Sequence, residues 1–341
     1  MSIKTEIIEI NIDDNQIFEK LKDYYKKGKL VAIPTETVYG LSADATNDKG
    51  TKNIYKAKGR PSDNPLIVHF AKLEQLDNIV SLDNENVKKL ISAFWPGPMT
   101  VILPIINKGI ISKNVTAGLD TLAVRMPKNK VARLILEKTN VLLAAPSANT
   151  SGKPSPTKFE HVYNDLNGKI DVIIKSEISE LGLESTVIDC TKYPFAIVRP
   201  GSITKDDIEK VLGEGSIYYN NQEDVTKIIS PGMKYRHYSP DADLIIYTGS
   251  EDSLLDILKN KGSEIGFITY ENMKNKLENF SVNIKYLADS EENIEECNKN
   301  LYNILREYDN ENVEKIYILD ILETDKSKAL VNRLRKASSK K

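Results

Sequence analysis

Cysteine, histidine and tryptophan are scarce in this 341-residue chain, which holds two, three and one of them. Cys190 and Cys297 lie about a hundred residues apart, and with so few histidines no C-x-x-C or H-x-x-x-H zinc spacing can be assembled. Neither a disulfide framework nor a structural metal is expected, and a reducing compartment is the default. No run of 18 apolar residues occurs, which excludes a transmembrane helix and a membrane partner. An excess of one charge is missing too. Lys and Arg total 47 against 49 Asp and Glu, a formal net charge of −2, which argues against gripping long nucleic acid by bulk electrostatics. The G-x-x-x-x-G-K-[ST] phosphate loop, a strand-borne G-x-G-x-x-G and the G-x-S-x-G nucleophile elbow are all absent. A nucleotide, if bound, must be held by another device. The opening MSIKTEIIEINIDD alternates apolar and polar residues without a continuous apolar core. It reads as a first strand rather than a secretory or transit peptide, so a cytoplasmic location is the simplest expectation.

What is present points to about two domains. From 1 to 215, short β-like runs (30–40, 66–70, 99–105, 121–127, 141–148, 171–176, 185–190) alternate with amphipathic patterns at 15–27, 50–58, 84–94, 129–138, 157–165 and 204–212. This predicts one large α/β domain. Residues 216–240 break the periodicity, carry Pro231-Gly232 and Pro240, and read as a linker. That linker also concentrates Lys234, Tyr235, Arg236, His237 and Tyr238, a costly composition for a spacer, so it is a candidate ligand-touching lid. From 241 to 341 a strand-helix alternation predicts a small, mostly parallel sheet.

Several polar groups sit where the chain turns. Lys56, Lys58 and Arg60 flank the Gly59-Pro61 turn before the strand LIVHF, and at alternate positions they would project into one space; a solvated basic turn is the bland alternative. Asn64 and His69 follow, the latter a catalyst or a satisfied core histidine. Ser147, Asn149, Ser151 and Ser155 lie in AAPSANTSGKPSPT after an apolar strand, a composition suited to cradling an anion. Arg125 and Arg199 stand in apolar strands and must find an anion, either an internal carboxylate or a bound carboxylate or phosphate. Thr35-Glu36-Thr37 and Glu184-Ser185-Thr186 matter only if they face the same cleft.

Together PTETVYG (34–40), KGRPSDNPLIVH (58–69), WPGPMT (95–100), TAGLDTLAVRMP (116–127), AAPSANTSGKPSPT (144–157), ESTVID (184–189), VRPG (198–201) and PGMKYRHYSP (231–240) closely resemble the threonylcarbamoyl-AMP synthase family in its long two-domain form. The motifs stand in the family's order over about 210 residues plus the linker. The C-terminal hundred residues resemble its accessory domain more loosely; NRLRKAS (332–338) fits, whereas ETDKSK (323–328) departs from a glycine-rich approach. The resemblance implies a YrdC-like twisted mixed α/β sheet with a large concave cavity, followed by a small Rossmann-like α/β domain. It implies ATP-dependent condensation of L-threonine with bicarbonate to threonylcarbamoyl-adenylate and pyrophosphate. That product serves N6-threonylcarbamoyladenosine formation at position 37 of tRNAs reading ANN codons, through a separate transferase complex and without tight tRNA binding by this chain. It further implies that Thr37, His69, Arg125, Ala145 and Ser185 hold threonine, with Thr35 an alternative to Thr37. Lys58, Arg60, Asn64, Thr121, Ser147, Ser155, Arg199 and Tyr238 would hold ATP. Lys58 and Arg60 would act catalytically by offsetting phosphate charge alongside Mg²⁺, with no metal ligand supplied by the protein. An RNA-binding module and a carbamoyl-phosphate-using enzyme are the other classes such a chain could belong to.

Overall fold

A computed structural model describes residues 3–220 and 238–338, in two compact units. The first holds residues 3–151, 156–180 and 184–220; the second holds 152–155, 181–183 and 238–338. The lid candidates Lys234, Tyr235, Arg236 and His237 lie outside the described residues. No helix among the described residues is long and apolar enough to cross a membrane.

In the first unit the chain runs β1 (Glu6–Glu9), α1 (Asn15–Lys26), β2 (Val31–Ile33), β3 (Gly40–Asp44), α2 (Asp48–Lys58), β4 (Ile67–His69), α3 (Glu85–Phe94), β5 (Met99–Pro104) and α4 (Lys113–Thr116). It continues through β6 (Thr121–Arg125), α5 (Lys130–Thr139), β7 (Leu143–Ala144), α6 (Phe159–Leu166), β8 (Val172–Lys175), β9 (Thr186–Asp189), β10 (Phe195–Arg199), α7 (Lys205–Leu212) and β11 (Ile217–Tyr219). The strands form one mixed sheet in the order β1-β8-β2-β3-β7-β4-β6-β5-β9-β10-β11. Both faces are covered, and the period-two rule shows why. Val31 and Ile33 of β2, with Val172 and Ile174 of β8, join Phe18, Leu21 and Tyr25 of α1 on one face. Ala32 and Ile173, between them in sequence, join Ile54 of α2 and Leu90 of α3 on the other.

Local chemistry sets the helix ends. Asp14 accepts the Gln16 N–H to start α1; Asn47 accepts from Lys49 and Gly50 to start α2, and Gly59 at φ 63° ends it. The helices expected from periodicity all form within a few residues. The single strand expected at 30–40 does not: β2 stops at Ile33 and residues 34–39 bend away, because the Thr35 hydroxyl accepts the Thr37 and Val38 N–H groups (both 3.2 Å) and donates to Val38 O (2.6 Å). Strand β3 was not anticipated. Nor was β11, which lies inside the segment read as linker and pairs parallel with β10.

The second unit contains β12 (Asp243–Tyr247), α8 (Glu251–Leu258), β13 (Ile265–Thr269), β14 (Asn283–Tyr286), α9 (Ile294–Asn310), β15 (Lys315–Leu319) and α10 (Lys328–Ser338). Its sheet, β12-β15-β13-β14, is parallel throughout. The fold class expected from the motifs therefore stands: a large mixed α/β sheet followed by a small parallel α/β domain.

Candidate active site

Parallel pairing of β4 with β6 puts His69 beside Arg125 at the carboxyl ends of the two strands. The 34–39 bend supplies the other members. Arg125, 4% exposed, donates from Nη2 to Glu36 Oε1 (2.6 Å), from Nη1 to Thr37 Oγ1 (2.9 Å) and from Nε to Gly97 O (3.2 Å). A guanidinium carries five N–H groups. Three are used here, so two have no partner among the described residues. Glu36, 1% exposed, also accepts the Asn129 N–H at 3.1 Å. Burial pushes its carboxyl up, but the Arg125 charge and these hydrogen bonds prevail and hold it below the usual carboxylate range. The strand arginine thus has the internal carboxylate that was one of its two expected fates, while keeping donors for a second anion.

His69 is buried, and its Nδ1 has no hydrogen-bond partner among the described residues. Desolvation, reinforced by the Arg125 charge, drives its pKa down to about 3, so the imidazole is neutral at pH 7. A neutral ring can exchange a hydrogen bond with a ligand but cannot balance charge. The sign of its effect on stability follows. The unfolded ring takes a proton below its ordinary ~6.5 while the folded ring resists until about 3, so stability falls as pH drops through that window. His69→Gln is expected to remove a slope of up to ~1.4 kcal/mol per pH unit between those limits. Urea unfolding at a series of pH values checks this; parallel curves for the two proteins would refute it.

The bend keeps the Thr35 and Thr37 hydroxyls together, 2.8 Å apart; the Thr35 hydroxyl is otherwise committed to the turn, and Thr37 is the one that meets Arg125. Ala145 is buried, its N–H donating to Ile67 O at 2.9 Å at the start of β4.

The basic turn does not have the expected shape. Residues 56 and 58 are both in α2, where positions two apart point to different sides, so Lys56 is exposed and Lys58 is 2% exposed. The Lys58 ammonium is no solvated charge: it donates to Ser147 O, Asn149 O (2.6 Å) and Asn149 Oδ1 (3.3 Å), using its three protons on the loop after β7. Arg60 is half-buried and reaches Pro65 O at 3.3 Å. Asn64 is 1% exposed, and neither its Nδ2 nor its Oδ1 has a partner among the described residues. An amide left so costs about 1–3 kcal/mol unless a bound group engages it.

Across the sheet, Arg199 donates from Nε and Nη2 to Ser185 O (3.1 and 3.0 Å) and from Nη2 to Ser185 Oγ (3.0 Å). Ser185 is fully buried, and its hydroxyl also pairs with Thr100 Oγ1 at 2.8 Å. Ser185, expected as a threonine contact, also fixes Arg199. Gly201 makes that approach possible, since a Cβ there would lie 2.3 Å from Thr186 N and 2.7 Å from Ser185 C. Gly201→Ala is expected to cost about 1–3 kcal/mol by forcing the backbone apart. Thermal unfolding checks it; an unchanged melting temperature would show that the contact can relax without loss.

Thr121, Ser155 and Tyr238 complete the expected set. Thr121 opens β6, about 13 Å along the strand from Arg125 at its other end. Ser155 belongs to the second unit. So does Tyr238, expected to swing in from the linker; its ring is 6% exposed, stacked on Tyr302 at 5.4 Å, with the Arg333 guanidinium 5.4 Å from its centroid. Glu36 was named in the sequence only as the middle of a polar triplet, and its role as the partner of Arg125 was not foreseen. Its signal was a carboxylate flanked by two threonines in a motif with no cation of its own, alongside a strand arginine in need of an anion.

A family model described as "Telomere recombination" (Sua5_yciO_yrdC) matches residues 23–201, and one described as "Threonylcarbamoyl-AMP synthase, C-terminal domain" matches residues 203–339. The threonylcarbamoyl-AMP synthase of Pyrococcus abyssi is 42% identical over 328 residues, 92% of each chain. That of Bacillus subtilis is 40% identical over 333 residues, covering 97% of this chain and 95% of its own. The crystal structure of P. abyssi Sua5 complexed with L-threonine superposes with a TM-score of 0.84 at 38% identity, over 99% of this chain and 98% of that one.

Proposed function

The chain belongs to the threonylcarbamoyl-AMP synthase family and carries that synthase activity, and from this premise we propose that it joins L-threonine, bicarbonate and ATP into threonylcarbamoyl-adenylate with release of pyrophosphate. The observation that carries the reading is the buried Arg125, held by Glu36 and Thr37 with two N–H groups to spare beside the neutral His69. In this reading those N–H groups take the threonine carboxylate, and Glu36 keeps the guanidinium rigid and charged in a desolvated place. Thr37, His69 and the Ala145 wall accommodate the rest of the amino acid. A threonine bound to P. abyssi Sua5 supports the assignment by similarity.

Nucleotide falls to the residues around the Lys58-organised loop. Asn64 offers a donor and an acceptor, Ser147 a hydroxyl, and Arg60 and Arg199 fixed positive charge. Threonine amine and bicarbonate condense to a carbamate with loss of water. Its oxygen attacks the α-phosphorus while pyrophosphate leaves, so negative charge grows on the phosphate oxygens. Preset cations stabilise that charge without reorganising. Mg²⁺ bound with the nucleotide would add to that charge stabilisation. No group of three or more His, Cys, Asp or Glu able to hold a metal occurs among the described residues. The product then passes to a transferase complex that modifies adenosine 37 of tRNAs reading ANN codons. The chain's net charge of −2 suits an enzyme that does not grip tRNA itself.

The test is pyrophosphate release from Mg-ATP and bicarbonate with and without L-threonine, with mass spectrometry of the adenylate. Threonine-dependent release with threonylcarbamoyl-adenylate is expected. Release that ignores threonine would overturn the reading.

A further inference from the structure

One side of α9 receives the two segments of the second unit that are expected to touch nucleotide. Residues four apart on a helix are neighbours along its surface, so Tyr302 and Arg306 stand one turn apart on α9. Tyr302, fully buried, stacks its ring on that of Tyr238 at 5.4 Å. Arg306, 7% exposed, donates to Pro154 O from Nη2 (2.6 Å) and from Nε (3.1 Å). That carbonyl belongs to the peptide bond leading into Ser155. A two-point donor fixes the orientation of the carbonyl as well as its distance, and because the peptide unit is planar, Ser155 N is fixed with it.

The two segments are also tied to each other. Ser239 N donates to Gly152 O at 2.9 Å, and the Ser239 hydroxyl donates to Ala337 O of α10 at 3.2 Å. Lys153 and Asp241 pair at 3.6 Å, but both are exposed and such a pair adds little, so the weight falls on the buried contacts of α9. Tyr238 itself stands at φ 65°, a left-handed backbone that costs a bulky residue of order 1–3 kcal/mol and persists where its surroundings over-determine it. Here those surroundings are the Tyr302 ring and the Arg333 guanidinium. Strain held in this way is characteristic of residues that must meet a ligand in one geometry.

On the reading that Ser155 and Tyr238 hold ATP, we propose that Tyr302 and Arg306 are positioning residues for the nucleotide: Arg306 presets the Ser155 hydroxyl through the Pro154 carbonyl, and Tyr302 presets Tyr238 through its ring. Neither contact then has to be ordered when ATP binds, which is where the gain in affinity arises. Each residue of α9 acts through its neighbour and touches no reacting atom, so its effect falls on nucleotide affinity and leaves the chemical step alone.

The test is steady-state kinetics of the full chain with Mg-ATP, bicarbonate and L-threonine, run below the melting transition of every variant. Arg306→Lys keeps the charge without the fork, and Tyr302→Leu keeps an apolar side chain without the ring. Each is expected to raise the KM for ATP at least ~fivefold, with kcat and the KM for threonine within about twofold of the parent. Coupling separates positioning from mere support: Arg306→Lys should add nothing further in a Ser155→Ala background, nor Tyr302→Leu in a Tyr238→Ala background. Lower melting temperatures without a rise in the KM for ATP, or an equal rise in those backgrounds, would overturn the proposal. An unchanged KM for ATP in both Ser155→Ala and Tyr238→Ala would overturn the nucleotide reading of these two residues and the proposal with it. The adenylation reading is decided separately, by threonine-dependent pyrophosphate release in the parent.

Discussion

Arg125→Ala is expected to abolish threonine-dependent adenylate formation, by at least ~100-fold in kcat/KM for threonine, and to destabilise the protein by about 3–5 kcal/mol. Both effects come from one feature. The guanidinium serves as the partner of a buried carboxylate and, on the proposed reading, as the clamp for the substrate carboxylate. Removing it strands Glu36 at 1% exposure with only the Asn129 N–H left. The two roles separate in the pair Arg125→Met, Glu36→Gln. With no uncompensated charge, stability should return to within roughly 1–2 kcal/mol of the parent, because a buried ion pair is often no better than an uncharged replacement. Activity should not return. Denaturant unfolding measures the first and pyrophosphate release the second. An active double variant would remove Arg125 from the threonine site, and an unstable one would show that the pair is not the cause of the loss.

Lys58→Met is expected to lower adenylation at least ~tenfold, chiefly through the KM for ATP, with the global fold intact. The structure gives the reason a different form from a cation simply facing phosphate. The ammonium lies under the loop after β7 and holds three acceptors, Ser147 O, Asn149 O and Asn149 Oδ1. Its loss leaves those groups unpartnered and releases the loop carrying the Ser147 hydroxyl, while also withdrawing a nearby positive charge. Lys58→Arg makes the distinction. A larger planar fork keeps the charge but cannot occupy the same buried space, so it should stay impaired if loop organisation matters and recover if charge alone does. Unchanged turnover in Lys58→Met would remove this residue from the nucleotide site.

Much of the molecule was legible along the chain because its determinants are local. Apolar periodicity marked most of the strands and helices, the Gly59-Pro61 turn closed α2 where a turn was expected, and the polar motifs at the turns identified His69, Arg125, Asn64 and Ser147 as groups worth watching. What the sequence left open were matters of partnership. It placed an arginine in an apolar strand but could not say which anion it meets, since Glu36 stands 89 residues away in sequence and is delivered by a bend after β2. It left Thr35 and Thr37 as alternatives, because a strand would have put both on one side. The hydrogen bonds that end the strand at Ile33 give Thr35 a structural task, and its hydroxyl meets that of Thr37, which is the one that reaches Arg125.

The same division holds elsewhere. Lys56, Lys58 and Arg60 form one basic cluster on paper, but helical geometry through residue 58 turns two of them apart, and only packing makes Lys58 a buried support. Strand β3 has no strong β signal of its own and exists because β2 and β7 flank it in the sheet. Tyr238 reads as a free linker aromatic, whereas its ring stacks on Tyr302, which α9 supplies from 64 residues further on. Sequence by itself determined most of the elements, the turn that closes α2 and the kinds of chemistry available. Tertiary structure alone decided which charges neutralise one another and which donors remain for a ligand, because those outcomes depend on contacts between distant segments that local propensity does not encode.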